Sequence, residues 1–144
     1  MNLPQYITTE EVQRVCRQLG IRDWTELKEA TVTVEEAQVI RNAVGAEATQ
    51  ITVDEFRCGL EVELEHGLQF PDANVTNNHP LLTGKIVLAH LKETLDYYSR
   101  LDVAELEGDM LKALTQGDLG KLAEKYRKLI HARVALSSSE AVRL

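Results

Sequence analysis

The sequence predicts an all-α protein: a compact helical bundle of five to six helices, with an antiparallel central pair and a small N-terminal helical segment. Two observations carry that prediction. Thr8-Thr9-Glu10-Glu11, Thr33-Val34-Glu35-Glu36 and Thr52-Val53-Asp54-Glu55 each spell Thr-x-x-Glu. In that pattern a threonine hydroxyl accepts from one orphan N–H of a helix start and a glutamate reaches back to another. Further along, apolar residues recur at intervals of three and four, and no segment has a convincing strand alternation.

Taken in order, each threonine follows a β-branched residue (Ile7, Val32, Ile51) suited to a staple contact, and Gly20, Gly45 and Gly67 stand where helices would stop. Three helices of about 11 to 14 residues result. The boxes are spaced 25 and then 19 residues apart, which is no solenoid period. Between the first two helices, Asp23 caps one short extra turn and Trp24, the only tryptophan, anchors it. After Gly67 comes a polar connection, LQFPDANVTNNHP, with two prolines and three asparagines; connections of that length are functional more often than average, or join distant helix ends.

The longest helical pattern runs from Leu81 to about Leu101, with Leu82, Ile86, Ala89, His90, Glu93, Tyr97 and Leu101 on one stripe. A further segment, Val103 to Leu114, continues or re-forms it. Gln116-Gly117-Asp118 breaks the pattern, with Asp118 as the next cap, and a last helix runs from Leu119 to about Leu136. The expected organisation is one domain over 1–136, with 1–48 an N-terminal helical segment and 49–136 the helical core, then a flexible tail at 137–144 with little to bury.

Composition narrows the function classes. Of 144 residues, 44% are hydrophobic and 27% charged, ordinary globular usage. No apolar run reaches the roughly 18 residues of a membrane helix, and the N-terminus lacks the features of a signal peptide. Cys16 and Cys58 read as free thiols, the sequon Asn74-Val75-Thr76 as unmodified, and the location as cytoplasmic. The net charge of −7 is uneven: residues 1–115 carry 10 Lys and Arg against 20 Asp and Glu, residues 116–144 carry 6 against 3. An acidic body argues against nucleic acid as a partner; a homo-oligomer or a protein partner remains open.

The candidate chemistry lies in GLEVELEHG. Read as a helix at about 100° per residue, Glu63 shares a face with Phe56, Leu60 and His66, while Glu61 and Glu65 point the other way into water. On the second long helix His90 and Glu93 share the apolar stripe. The orders Glu63-x-x-His66 and His90-x-x-Glu93 suit antiparallel helices, Glu63 level with Glu93 and His66 with His90. Two carboxylates and two imidazoles converging between helices would make a divalent transition-metal site for Zn, Mn, Fe or Ni, with redox or storage chemistry. Asp96, Glu105, Glu107 and His79 are candidate further ligands. The alternative is a structural network of Glu63–His90 and His66–Glu93 ion pairs inside a non-catalytic interaction or oligomerisation module. A hydrolase or lyase using Glu63 as base has no feature that singles it out, so enzymatic activity stays open.

FRCGLEVELEHG, followed by NVTNNHPLLTGKIVLAHLKETLDYYSRL, resembles a family of small bacterial and phage proteins classed as a domain of unknown function. The resemblance spans roughly residues 50–107. It implies a shared helical fold and a recurring ELEHG/AHLxE pairing, and no activity.

Overall fold

The computed structural model describes residues 6–46 and 51–142, and its start follows from the first capping signal. Thr8 accepts from the Glu11 N–H at 3.2 Å and opens α1, Thr9–Leu19, while Gly20 closes it in the left-handed region at φ 68°. Val12, Val15 and Cys16 form its buried face. The Glu11 carboxylate goes to Arg14 (2.7 and 2.8 Å). Asp23 then accepts from the Thr25 N–H and caps the single 3-10 turn Trp24–Glu26, with Trp24 wholly buried.

The second box forms in full. Thr33 and Glu36 cap α2, Val34–Ala43, in both directions. Glu36 also takes the Arg22 guanidinium at 2.6 and 2.9 Å and the Arg22 backbone N–H at 3.2 Å. Burial pushes the Glu36 carboxyl up, but the Arg22 fork and the donated N–H groups outweigh it and hold it below the usual carboxylate range. Thr52 and Glu55 form the third box at the start of α3, Val53–Gln69, which buries Phe56, Gly59, Leu60 and Leu64. His79 and Pro80 open α4, Pro80–Glu93.

These elements form one unit, Met1–Leu95. Within it α3 packs on both α2 and α4, and α1 on the 3-10 turn and α4. Trp24, Ile40, Phe56, Leu60, Leu64 and Val87 are fully buried at its centre. Gly84 lets α4 approach α2 closely: a Cβ there would sit 2.8 Å from Ile40 Cγ2 and 3.1 Å from Val44 Cγ1. Lys85 reaches across to donate to the Val44 carbonyl at 2.7 Å, satisfying an acceptor at the end of α2.

Three expectations are corrected here. The helix projected from Leu81 to Leu101 ends at Glu93, because Thr94 is extended (φ −156°, ψ 136°). Thr94 and Asp96 belong to the residue types whose side chains compete for the backbone at helix ends. Tyr97 and Leu101 therefore lie on a different helix from His90. Gly67 is no stop, since α3 passes through it to Gln69. Glu61 does not simply face water: it accepts from the Val32 N–H at 3.0 Å and from Arg57 at 3.3 Å.

The second unit, Asp96–Leu144, holds α5, Tyr97–Thr115, and α6, Leu119–Val142, packed on each other and joined by a turn in which Gly117 has φ 71°. Asp118 caps α6 by accepting from the Lys121 N–H at 2.9 Å. Tyr98, Leu106, Ala113 and Leu129 are the unit's buried hydrophobic residues. Lys125–Asp109 (2.6 Å), Arg133–Glu107 and Arg100–Glu140 (2.7 Å) tie the two helices together. Residues 137–142, read from the sequence as the start of a tail, continue α6. The described residues form six α-helices and no strand, the expected all-α class. None of these helices is long and apolar enough to cross a membrane.

Candidate functional site

The facing pair is α3 and α4. Glu63 Oε1 lies 3.1 Å from His90 Nδ1, the carboxylate largely covered at 16% side-chain exposure and the imidazole half-buried at 30%. This level differs by one turn, roughly 5 Å, from the one that would set Glu63 beside Glu93 and His66 beside His90. His66 and Glu93 are exposed. Among the described residues no group of three or more His, Cys, Asp or Glu could hold a metal ion. The expectation of a Glu63/His66/His90/Glu93 centre for Zn, Mn, Fe or Ni is thus overturned. Its physical reason is register, because Glu63 and His90 meet as a pair and the slip carries the other two away. Three of the four further candidates are engaged otherwise, Asp96 with Arg100 at 2.9 Å, Glu107 with Arg133 and His79 with backbone N–H groups, and Glu105 is exposed on α5.

That register is set by the polar connection, which folds back on α3. Asn74 Nδ2 donates to the Gly67 carbonyl at 3.1 Å and to Asn78 Oδ1 at 2.8 Å. Thr76 Oγ1 donates to Asn74 Oδ1, and Asn77 Nδ2 to the Ile7 carbonyl. Asn77 and Asn78 both adopt positive φ (48° and 55°), a conformation asparagine tolerates better than most residues. Gly67 is required for this docking: a Cβ there would overlap Asn78 Oδ1 and come within 2.9 Å of Asn74 Nδ2.

His79 completes the connection as the cap of α4. Its Nδ1 accepts from the Leu81 and Leu82 N–H groups at 3.2 and 3.4 Å, which requires the unprotonated imidazole. Burial holds its pKa below the ordinary histidine value, with Glu11 pulling the other way and Arg14 adding to the depression. The neutral form is the one the cap needs.

Between the last turns of α3, the connection and the first turns of α4 lies a cavity of about 230 Å³. Glu63, His66, Phe70, Thr76, Thr83 and Ile86 supply its chemistry. Thr83 is buried and lines the cavity. The lining carries one carboxylate and neither lysine nor arginine. Sequence reasoning found Glu63 and His66 but missed Thr83, Gly67 and the asparagine cluster. The available signal was three asparagines and two prolines within the 13 residues LQFPDANVTNNHP.

A second cavity, also about 230 Å³, lies beside Arg22 and Glu36, whose charges already satisfy each other. It offers a ligand less than the α3–α4 cavity does.

A family model described as "Protein of unknown function (DUF5661)" matches residues 12–107. That span contains the whole cavity and begins well before the 50–107 stretch that carried the resemblance. No curated protein and no solved structure matches the chain.

Proposed function

The chain belongs to the DUF5661 family of proteins of unknown function, and from that premise we propose that it is a binding protein whose α3–α4 cavity takes a small organic cation. The observation that carries the reading is the cavity's charge: one largely covered carboxylate, Glu63, with no lysine or arginine in the lining and His66 as its one imidazole. A carboxylate removed from bulk water interacts more strongly with an opposite charge than an exposed one does. His90 fixes its orientation from outside the lining, so Glu63 is held before a ligand arrives. Phe70, Val75 and Ile86 provide apolar wall for the rest of the molecule. The hydrogen-bonded asparagine connection limits how much must be ordered on binding.

Size sets the class further. At about 30 Å³ per water-sized group, the cavity has room for roughly eight such groups, fewer than a drug-sized ligand needs. A primary alkylammonium of five or six carbons fits. The test is a titration with n-pentylammonium, followed by amide resonances, against n-pentanoate as the matched anion. Shifts at Gly67, Thr76 and Thr83 with the cation alone, lost in Glu63→Gln with an unchanged melting temperature, are the expected result. Equal response to the anion, or silence at 10 mM of both (a concentration on the order of weak fragment affinity), refutes the reading.

A further inference from the structure

The α5–α6 hairpin leaves a second apolar face without cover. On α6, Leu122, Leu129, Ala132 and Leu136 recur at intervals of seven, three and four residues toward α5, with Leu129 buried and the others half-buried. A separate row, Leu119, Tyr126, Ile130 and Val134, is 41 to 69% exposed. At about 100° per residue this row centres roughly 100° around the helix from Leu129. On α5 Leu106 and Ala113 share a buried stripe, with Tyr98 also buried in the first turn, and Leu111 and Leu114 stand exposed at 62 and 57%, displaced from that stripe by a similar angle in the same sense of rotation. Because the helices run antiparallel, equal displacements place both exposed rows on the same side of the hairpin. The result is an apolar face at the turn end of the hairpin, built of Leu111, Leu114, Leu119 and Tyr126 and continued along α6 by Ile130 and Val134, with Glu107 on the same side of α5.

Two contact stripes about a right angle apart are the mark of a helix that packs against two neighbours, as every helix of a four-helix bundle does. A two-helix hairpin supplies only one neighbour to each. We propose that the second neighbour is supplied by another copy of this chain, so that two hairpins stack face to face as a four-helix bundle. Clustered exposed apolar side chains, unlike scattered ones, mark contact sites, and a stable interface of roughly 800 Å² per partner would take in the hairpin flanks as well.

Charge selects the arrangement. Within α5, Arg100 and Lys112 stand against Asp102, Glu105, Glu107 and Asp109; within α6, five basic residues stand against Glu124 and Glu140. Setting α6 over α5 of the other copy brings opposite signs together, and setting α6 over α6 opposes like charges. A two-fold axis parallel to the helices gives the first arrangement and keeps all neighbours antiparallel. This proposal is independent of the cavity and of what the cavity binds.

The test is the mass of the full chain in solution by light scattering and sedimentation, from 1 to 200 μM, the range on the order of micromolar self-association. The expected mass is twice 16.2 kDa at the upper end. The pair Leu114→Lys and Ile130→Lys, both at exposed positions, is expected to raise the dissociation constant about 100-fold or more with helicity by circular dichroism unchanged. A monomer throughout, a dimer indifferent to both substitutions, or a monomer that instead sediments with phosphatidylserine vesicles overturns the proposal.

Discussion

Replacing Gly67 by alanine adds one methyl group to a helix, a change that ordinarily stabilises by about 0.5–1 kcal/mol because glycine loses more backbone freedom. Here the sign should reverse. The backbone is helical, so conformation does not oppose alanine, but the new Cβ falls on Asn78 Oδ1 and close to Asn74 Nδ2. To admit it, the Asn78 and Asn74 side chains must swing aside and give up the Asn74–Gly67 and Asn74–Asn78 hydrogen bonds. Two part-buried bonds are worth about 1 kcal/mol each, and crowding adds about 1 kcal/mol more. Against a propensity gain of about 1 kcal/mol, the net loss is about 2 kcal/mol. For a chain of this size that lowers the melting temperature by roughly 6–10 °C. The control is Gly108→Ala in α5, where an added Cβ meets nothing within 4 Å, and a rise of roughly 2–5 °C is expected. Urea and thermal unfolding of both variants give the measurement. If Gly67→Ala stabilises as Gly108→Ala does, the account of the docked asparagine connection is wrong.

The His79 cap makes stability depend on pH. Its folded-state pKa is lowered by burial, so its contribution is full above the ordinary value of about 6.5 and declines as pH falls from there through the folded-state value. His79→Asn, which keeps an acceptor at the cap, should flatten that stretch of the profile, and His79→Ala should cost about 1 kcal/mol at neutral pH. Glu36 acts lower on the scale: its carboxyl is held below the ordinary value of 4.5, so its contribution is present above that value and is lost as pH falls through the folded one. Glu36→Ala removes both the cap of α2 and the Arg22 fork, and chemical denaturation should report a loss of about 2–3 kcal/mol; a loss below about 0.5 kcal/mol would show that Arg22 is as well served by water.

Local signals are legible in this sequence and relational ones are not. Thr33-Val34-Glu35-Glu36 and Thr52-Val53-Asp54-Glu55 announce their caps because every partner lies within four residues. Gly67 looks the same in sequence whether it ends a helix or clears space for Asn78, which approaches from 11 residues away. The spacing of Ile86, His90, Glu93, Tyr97 and Leu101 stays helical across the break at Thr94, so periodicity alone runs the two helices together. Helical phase alone sends Glu61 to solvent, because its acceptor role depends on the Val32 N–H, 29 residues earlier. The order of the Glu/His pairs was enough to suggest antiparallel helices, and one half of the structural alternative, Glu63–His90, is present. What that order does not encode is the register, which depends on how the asparagines and His79 seat the start of α4. Likewise the helical course of residues 137–142 is supported by Glu140 meeting Arg100, a pairing across 40 positions.

The two thiols inhabit unlike surroundings. Cys16 is 1% exposed in the face that α1 buries, and its pKa is pushed up by that burial, whereas Cys58 stands on the open side of α3. Only a thiolate attacks an electrophile readily, so a maleimide dye has one accessible sulfur on the folded chain. Native protein can accordingly carry a single fluorophore without engineering, and a second adduct signals that α1 has come away from its packing.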